Sequence, residues 1–368
     1  MKEKKSFWEH SGVQSVTASL LCILLGLLIG FIVLLIINPG GAFNAIITIL
    51  KNFWNYENPK KAASYFGNTL VKTAPLLMCA LSIQFCYKAG LFNIGAAGQY
   101  VAGAGVTLYA ALAWKLPWYL CLILAMAAGA FFACIVGLLK AYRNVNEVIS
   151  GIMLNWIGLY LVNMTLSTVK DSTSPYTLKL NSVNKKALLP AFRLGEVLSN
   201  KYITIAIPLA VIAAIVIWIV LNKTVFGYEI RATGLNMEAA RYSGMKEKRN
   251  VILTLVIGGA LAGAGAAFLY LSGYEEWSVT QSSVPAMGFN GIAATFLGGL
   301  DPIGTIFSSY FIQHITSGGA YLDKMIYPSQ ISDLISSIII YLCSFVLFFK
   351  YLMNNRIRAK KEKGGKQS

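Results

Sequence analysis

Ten stretches of the chain carry enough apolar residues to be read as hydrophobic elements: 17–38, 67–87, 91–113, 117–139, 147–169, 202–222, 251–272, 285–300, 303–319 and 331–351. Most approach the roughly 20 residues that a helix needs to cross a hydrocarbon core of about 30 Å. Thr17 to Ile37 is the clearest. It is too long for the apolar part of a signal peptide, lacks a small-x-small cleavage pattern and follows a mostly polar tail, so it reads as a retained anchor. The third, eighth and ninth elements are weaker, being Gly-rich, short or interrupted by Pro302. The pattern predicts an all-α, polytopic membrane protein of about ten spanning or partly spanning helices. A tail covers 1–16, a transmembrane domain 17–351 and a basic tail 352–368.

Composition agrees: 56% of the 368 residues are hydrophobic and 12% charged, more apolar surface than a water-soluble core hides. The net charge of +16 raises nucleic acid as a partner. The basic residues, however, sit in tails and short loops between apolar spans, where they set orientation, so lipid and not nucleic acid is the expected contact. With the N-terminus cytoplasmic, nineteen Lys and Arg fall on the inner side and eleven outside, which predicts both termini on the cytoplasmic side. All six cysteines lie in or beside apolar runs without a C-x-x-C pair, and His10 and His314 are isolated. They read as packing residues, with no metal site.

Two hydrophilic segments interrupt the pattern. Residues 170–201 read as a folded external loop. Residues 223–250 read as a cytoplasmic loop in which Met237 to Tyr242 is a short helix punctuated by Gly234 and Gly244, either a docking element or an ordinary connector. A faint echo links Phe92-Asn93-Ile94-Gly95 to Phe289-Asn290-Gly291-Ile292, each opening a Gly-rich weak element, five crossings apart. Inverted repeats with Gly-interrupted segments in matching places point to a central transport pathway.

The most informative stretch is Ala89 to Gly105. Its small residues allow close backbone approach, and Asn93 and Gln99 bring amides that need partners in a low dielectric. A pathway wall and close helix packing with amide glue are both open. On the fifth element Glu147, Gly151, Asn155 and Gly158 share one helical face; Glu147 follows Arg143 at the inner boundary and reads as an interfacial charge. Gly258 to Ala267 resembles a dinucleotide loop only superficially, because no strand precedes it, and reads as helix packing.

No G-x-x-x-x-G-K-[ST] is present, so the chain carries no P-loop for ATP. Glu147, Asp301 and Asp333 fall at span ends and Lys72 near the outer end of the second span, which argues against an ion-coupled carrier. Scattered carboxylates and two isolated histidines make no catalytic site, so no enzymatic activity is expected.

Four blocks, Gly90 to Gln99 (GLFNIGAAGQ), Asn146 to Asn163, Phe226 to Met245 and Gly288 to Thr305 (GFNGIAATFLGGLDPIGT), together resemble the permeases of bacterial nucleoside and simple-sugar ABC importers. Ribose and branched-chain amino acid permeases are more distant members of that superfamily. The resemblance implies the ABC importer permease fold with an inverted repeat, no cofactor in this chain, and ATP and Mg on a separate ABC ATP-binding subunit. It also implies a second permease, commonly a non-identical paralogue, and an external substrate-binding protein or lipoprotein. Gly234, Asn236, Glu238, Ala239, Ala240 and Gly244 would contact the ATPase. The expected cargo is a small neutral solute, a nucleoside, or alternatively ribose or another simple sugar, with an ion-coupled carrier as a further alternative. Pathway candidates are Phe92, Asn93, Gln99, Asn155, Phe289 and Asn290. The chain departs from the family pattern at Ala97, where the family commonly has Glu, and at Asn290, where it has Asp. Both changes remove negative charge, which fits an altered substrate or the less active member of an asymmetric pair.

Overall fold

A computed structural model describes residues 11–323 and scattered positions between 325 and 355. The elements in order are α1 (Ser11–Ile37), α2 (Ala42–Lys51), α3 (Pro59–Lys88), α4 (Ala96–Leu112), α5 (Trp118–Arg143), α6 (Glu147–Leu166), α7 (Leu180–Val183), α8 (Leu194–Val197), α9 (Ala206–Lys223), α10 (Val225–Leu235), α11 (Met237–Tyr242), α12 (Glu247–Tyr270), α13 (Ala286–Leu297) and α14 (Pro302–Gly318). Among the described residues, extended pairing is limited to three isolated bridges.

Six of these helices, α1, α3, α5, α6, α9 and α12, are long and apolar enough to cross a membrane. The remaining predicted crossings differ for physical reasons. The third element is unwound before Ala96, leaving 17 helical residues. The eighth is a helix of only 12 residues, about 18 Å long, and the ninth has 17, starting at Pro302. The tenth, 331–351, lies largely outside the described residues. The structure also adds α2, a helix in the stretch between the first and second predicted elements, where no element was expected.

The helices form two compact units, Met1–Asn55 with Ala293–Ser368, and Tyr56–Ile292, the boundary falling inside α13. In the larger unit α12 is the axis, packed against α3, α4 and α5. Its glycines make this possible: a methyl on Gly129 of α5 would strike the carbonyl oxygen of Gly259, and one on Gly103 of α4 would stand 2.6 Å from the Cα of Gly263. With no water-driven hydrophobic force between helices in lipid, such close backbone contact is what holds spans together. The Gly258–Ala267 stretch is therefore a packing surface.

The unit has two distinct ends. At one, residues 170–205 fold over the helix tips. Asn184 Nδ2 donates to the carbonyls of Ala111 and Leu116, both at 2.9 Å, and the Thr177 and Leu189 amides donate to Trp277 and Leu271. At the other end α3 finishes, α5 turns into α6, and α10 and α11 cover the start of α12. There Lys140 and Glu147 form an ion pair at 2.9 Å, so Glu147 is partnered by the helix before it. In the smaller unit, Ser19 on α1 donates to the Leu297 carbonyl at 2.7 Å. The last turn of α14 lies against α2, where Gly318 meets the Ile49 carbonyl.

Candidate functional site

The chain reverses sharply after α3. Gly90 takes φ +73°, and the Leu91 amide reaches back to the Cys86 carbonyl at 3.1 Å. Residues 91–95 then climb alongside α3 without helical structure, until Asn93 Nδ2 donates to Ser82 Oγ at 3.1 Å. Ser82 lies six residues before Lys88, about 9 Å of helix. Irregular backbone thus sits inside a helix bundle at membrane depth, which is tolerated only where protein or a wet cavity satisfies its polar groups.

Three amides satisfy it. Asn93 and Gln99 exchange hydrogen bonds, Asn93 Nδ2 donating to Gln99 Oε1 at 2.9 Å and Gln99 Nε2 donating to Asn93 Oδ1 at 3.0 Å. The third is Asn155, reaching across from α6. Helix α4 has Gly95 at its N-cap and so no local side chain to satisfy its first amides. Asn155 Oδ1 accepts from the Gly98 amide at 2.7 Å, the position a local capping residue serves. Its Nδ2 donates to the Ile94 carbonyl at 3.1 Å. Gly98 has to be glycine, since a Cβ would lie 2.6 Å from Asn155 Oδ1. Asn93, Gln99 and Asn155 are 3%, 2% and 2% exposed; their amides hold the passage together.

The second Gly-rich segment meets the first. Gly288 of α13 lies against Ala97, where a Cβ would be 2.7 Å from that of Ala97, and Gly291 lies against Cys79 and Ala80 of α3. The sequence echo differs in local structure: Phe92–Gly95 is the unwound passage, whereas Phe289–Ile292 lies within α13, which starts at Ala286 behind Pro285. Phe92 and Asn290 are half-buried and Phe289 more open. Of the two departures that the resemblance marks, Ala97 lies on this seam, whereas Asn290 stands on a different face of α13 from Gly288 and Gly291.

One partnership escapes sequence reading. Lys72 Nζ stands 3.2 Å from Glu275 and 5.4 Å from the centre of the Tyr274 ring. A lysine inside an apolar span signals that a counter-charge is needed; Glu275, in the distant connection after α12, gave no sequence clue that it was the one. The adjoining Trp277 is buried and donates from Nε1 to Asn163 Oδ1 at 2.8 Å. Among the described residues, no three His, Cys, Asp or Glu side chains come together as metal ligands would.

At the opposite end, α11 is capped by Asn236, whose Oδ1 accepts from the Ala239 amide at 3.0 Å. Glu238, Ala239 and Gly244 are exposed, while Ala240 is buried beneath the helix. Gly234 is wedged against α3: a Cβ there would lie 2.7 Å from the Gly90 nitrogen. The small size of Gly234 and Ala240 is therefore explained by packing inside this chain. Sequence reading passed over the large side chains on this surface, Leu235 and Tyr242, which are 89% and 91% exposed.

A bundle of long apolar helices enclosing an amide-stitched, unwound passage defines a polytopic membrane protein of the permease class. The family model described as "Branched-chain amino acid transport system / permease component" matches residues 65–344, and the chain belongs to that family. It is 33% identical over 350 residues, covering 90% of this chain and 91% of the relative, to the nucleoside ABC transporter permease protein NupB of Lactococcus lactis subsp. cremoris. It is 31% identical over 294 residues, 78% and 83% of the two chains, to the guanosine ABC transporter permease protein NupP of Bacillus subtilis. The glucose ABC transporter permease protein TsgB13 of Haloferax volcanii is 28% identical over 300 residues, 78% of each chain.

Proposed function

We propose that this chain forms the membrane pathway of an ATP-driven importer of nucleosides, working by alternating access with ATP and Mg bound by a separate ATPase subunit. Similarity to two permeases whose names specify nucleoside or guanosine carries the substrate class. Lactococcus lactis and Bacillus subtilis each have a second related permease, NupC and NupQ, at 25% and 29% identity to this chain. That supports a non-identical second permease as partner. An external binding protein or lipoprotein delivers the solute in this reading.

The pathway wall is the seam where the unwound passage meets α13. Phe92 beside it, and Phe289 and Asn290 on the faces of α13 turned away from Ala97, are the side chains left accessible, able to stack on a base and exchange hydrogen bonds with it. Asn93, Gln99 and Asn155 act one layer behind, fixing the backbone. On the cytoplasmic side the ATPase docks on α11, with Asn236, Glu238, Ala239 and Gly244 at the surface and Gly234 and Ala240 setting its seat against α3 and α12.

Reconstituting the chain with its ATPase, second permease and binding protein in proteoliposomes tests the reading. Uptake of labelled guanosine or another nucleoside should require ATP and the binding protein. Uptake that persists without the ATPase would sink the mechanism. The likeness to TsgB13 favours a sugar as the second reading, and competition by unlabelled glucose or ribose, with nucleosides inert, would select it.

A further inference from the structure

The helix that sequence patterning passed over, α2, has three faces. Ala42, Ala45, Ile46 and Ile49 are buried. At 3.6 residues per turn, Phe43, Ile47 and Leu50 form a second, apolar stripe, continued by Trp54 in the 3-10 turn Asn52–Asn55. Phe43 is 65% exposed and Trp54 73%. Asn44, Thr48 and Lys51 form a third strip, polar and alongside it. We propose that α2 and the turn after it lie in the membrane boundary as a phospholipid-binding element, with the Phe43–Trp54 stripe in the upper acyl region and Lys51 at a lipid phosphate.

Chain length fixes the depth. The apolar part of α1, Thr17–Ile37, has 21 residues and rises about 31 Å, the full hydrocarbon thickness of about 30 Å. Ile37 is therefore at a boundary, and α2 starts only five residues later. With 10 residues, about 15 Å, α2 is too short to cross. The chain that follows, Glu57, Asn58, Lys60 and Lys61, is polar and charged, as chain at a membrane boundary is.

The orientation of α2 is fixed as well. His314 Nε2 lies 2.9 Å from the Leu50 carbonyl and so donates to it, and Asn52 Nδ2 donates to the His314 carbonyl at 2.9 Å. These bonds bind α2 to α14 and turn its stripe outward. A groove of about 540 Å³ runs along that stripe, between Leu50, Lys51, Trp54 and Tyr310. An apolar stripe edged by a cation beside a groove matches an acyl chain and its phosphate, and interfacial helices bury their apolar face about 5–10 Å into the headgroup boundary. A protein partner on the same face would have to bury Lys51 along with it.

Fluorescence of the assembled transporter in phosphatidylglycerol-containing vesicles tests this, taking the Trp54 signal as the difference between wild type and Trp54→Phe. Lipid brominated near the top of its acyl chains should quench that signal about twofold more than lipid brominated near the chain ends, as a depth of about 5–10 Å requires. Should Trp54→Phe fail to assemble, Phe43→Trp read against wild type places a probe on the same stripe. Absence of quenching, stronger quenching from the chain ends, or quenching chiefly by aqueous acrylamide would each overturn the proposal.

Discussion

Asn155 caps a helix to which it does not belong, and its removal should be felt at α4 more than at α6. Asn155→Leu leaves the Gly98 amide and the Ile94 carbonyl unpaired in a buried site. At about 1–3 kcal/mol for each unsatisfied group, the variant should lose roughly 2–6 kcal/mol of stability, read as a lowered unfolding temperature in detergent. Asn155→Asp retains the acceptor for Gly98 but sets a carboxylate oxygen against the Ile94 carbonyl in a buried site, so it should also be damaged at neutral pH, and less at acid pH, where the protonated oxygen can donate. The Lys72–Glu275 pair makes a contrast. Its side chains are 30% and 39% exposed, and pairs so open to solvent are worth under about 1 kcal/mol. Lys72→Met should therefore unfold within a few degrees of wild type, and a large loss of stability would show that the pair is shielded by a neighbour.

At the scale of elements, close approach decides which substitutions are tolerated. Gly259→Leu places a branched side chain where α12 meets the α5 backbone, and should abolish a stable, monodisperse protein on size-exclusion chromatography. Gly244 has φ +81° with nothing within 4 Å of a Cβ, so Gly244→Ala should cost only about 1–2 kcal/mol of backbone strain. Tyr242→Asp lies on the open face of α11 and should leave membrane insertion intact while lowering ATP-driven uptake about tenfold or more, if that face seats the ATPase as proposed. Normal uptake by this variant would remove α11 from the docking surface. The long apolar helices were legible in the sequence because lipid demands uninterrupted runs, and the glycines of α12 because small residues at membrane depth have few other uses. Helix α2 was not legible, since ten residues with apolar positions on two faces match neither a span nor a water-facing loop. The amide cluster was visible as residues needing partners, but the pairing of Asn155 with the α4 amides depends on a crossing that sequence spacing does not encode.

Across the whole molecule, the division into two ends gives orientation a direct test. Ser172 and Ser243 are both exposed, at opposite ends of the larger unit. If the charge asymmetry sets topology, Ser172→Cys should react with an impermeant maleimide in intact cells and Ser243→Cys only after permeabilisation. The reverse pattern would invert the assignment of both ends. The cap lent by Asn155 also bears on how the chain is made. As the protein is threaded into the bilayer in chain order, residues 90–98 arrive more than fifty residues before the side chain that completes their hydrogen bonding. Until α6 emerges, this stretch holds backbone groups that lipid cannot satisfy. The hairpin of α3 and α4 must then wait at the translocation machinery or in a watery vestibule, and a nascent chain ending at Arg143 should be a target for membrane quality control.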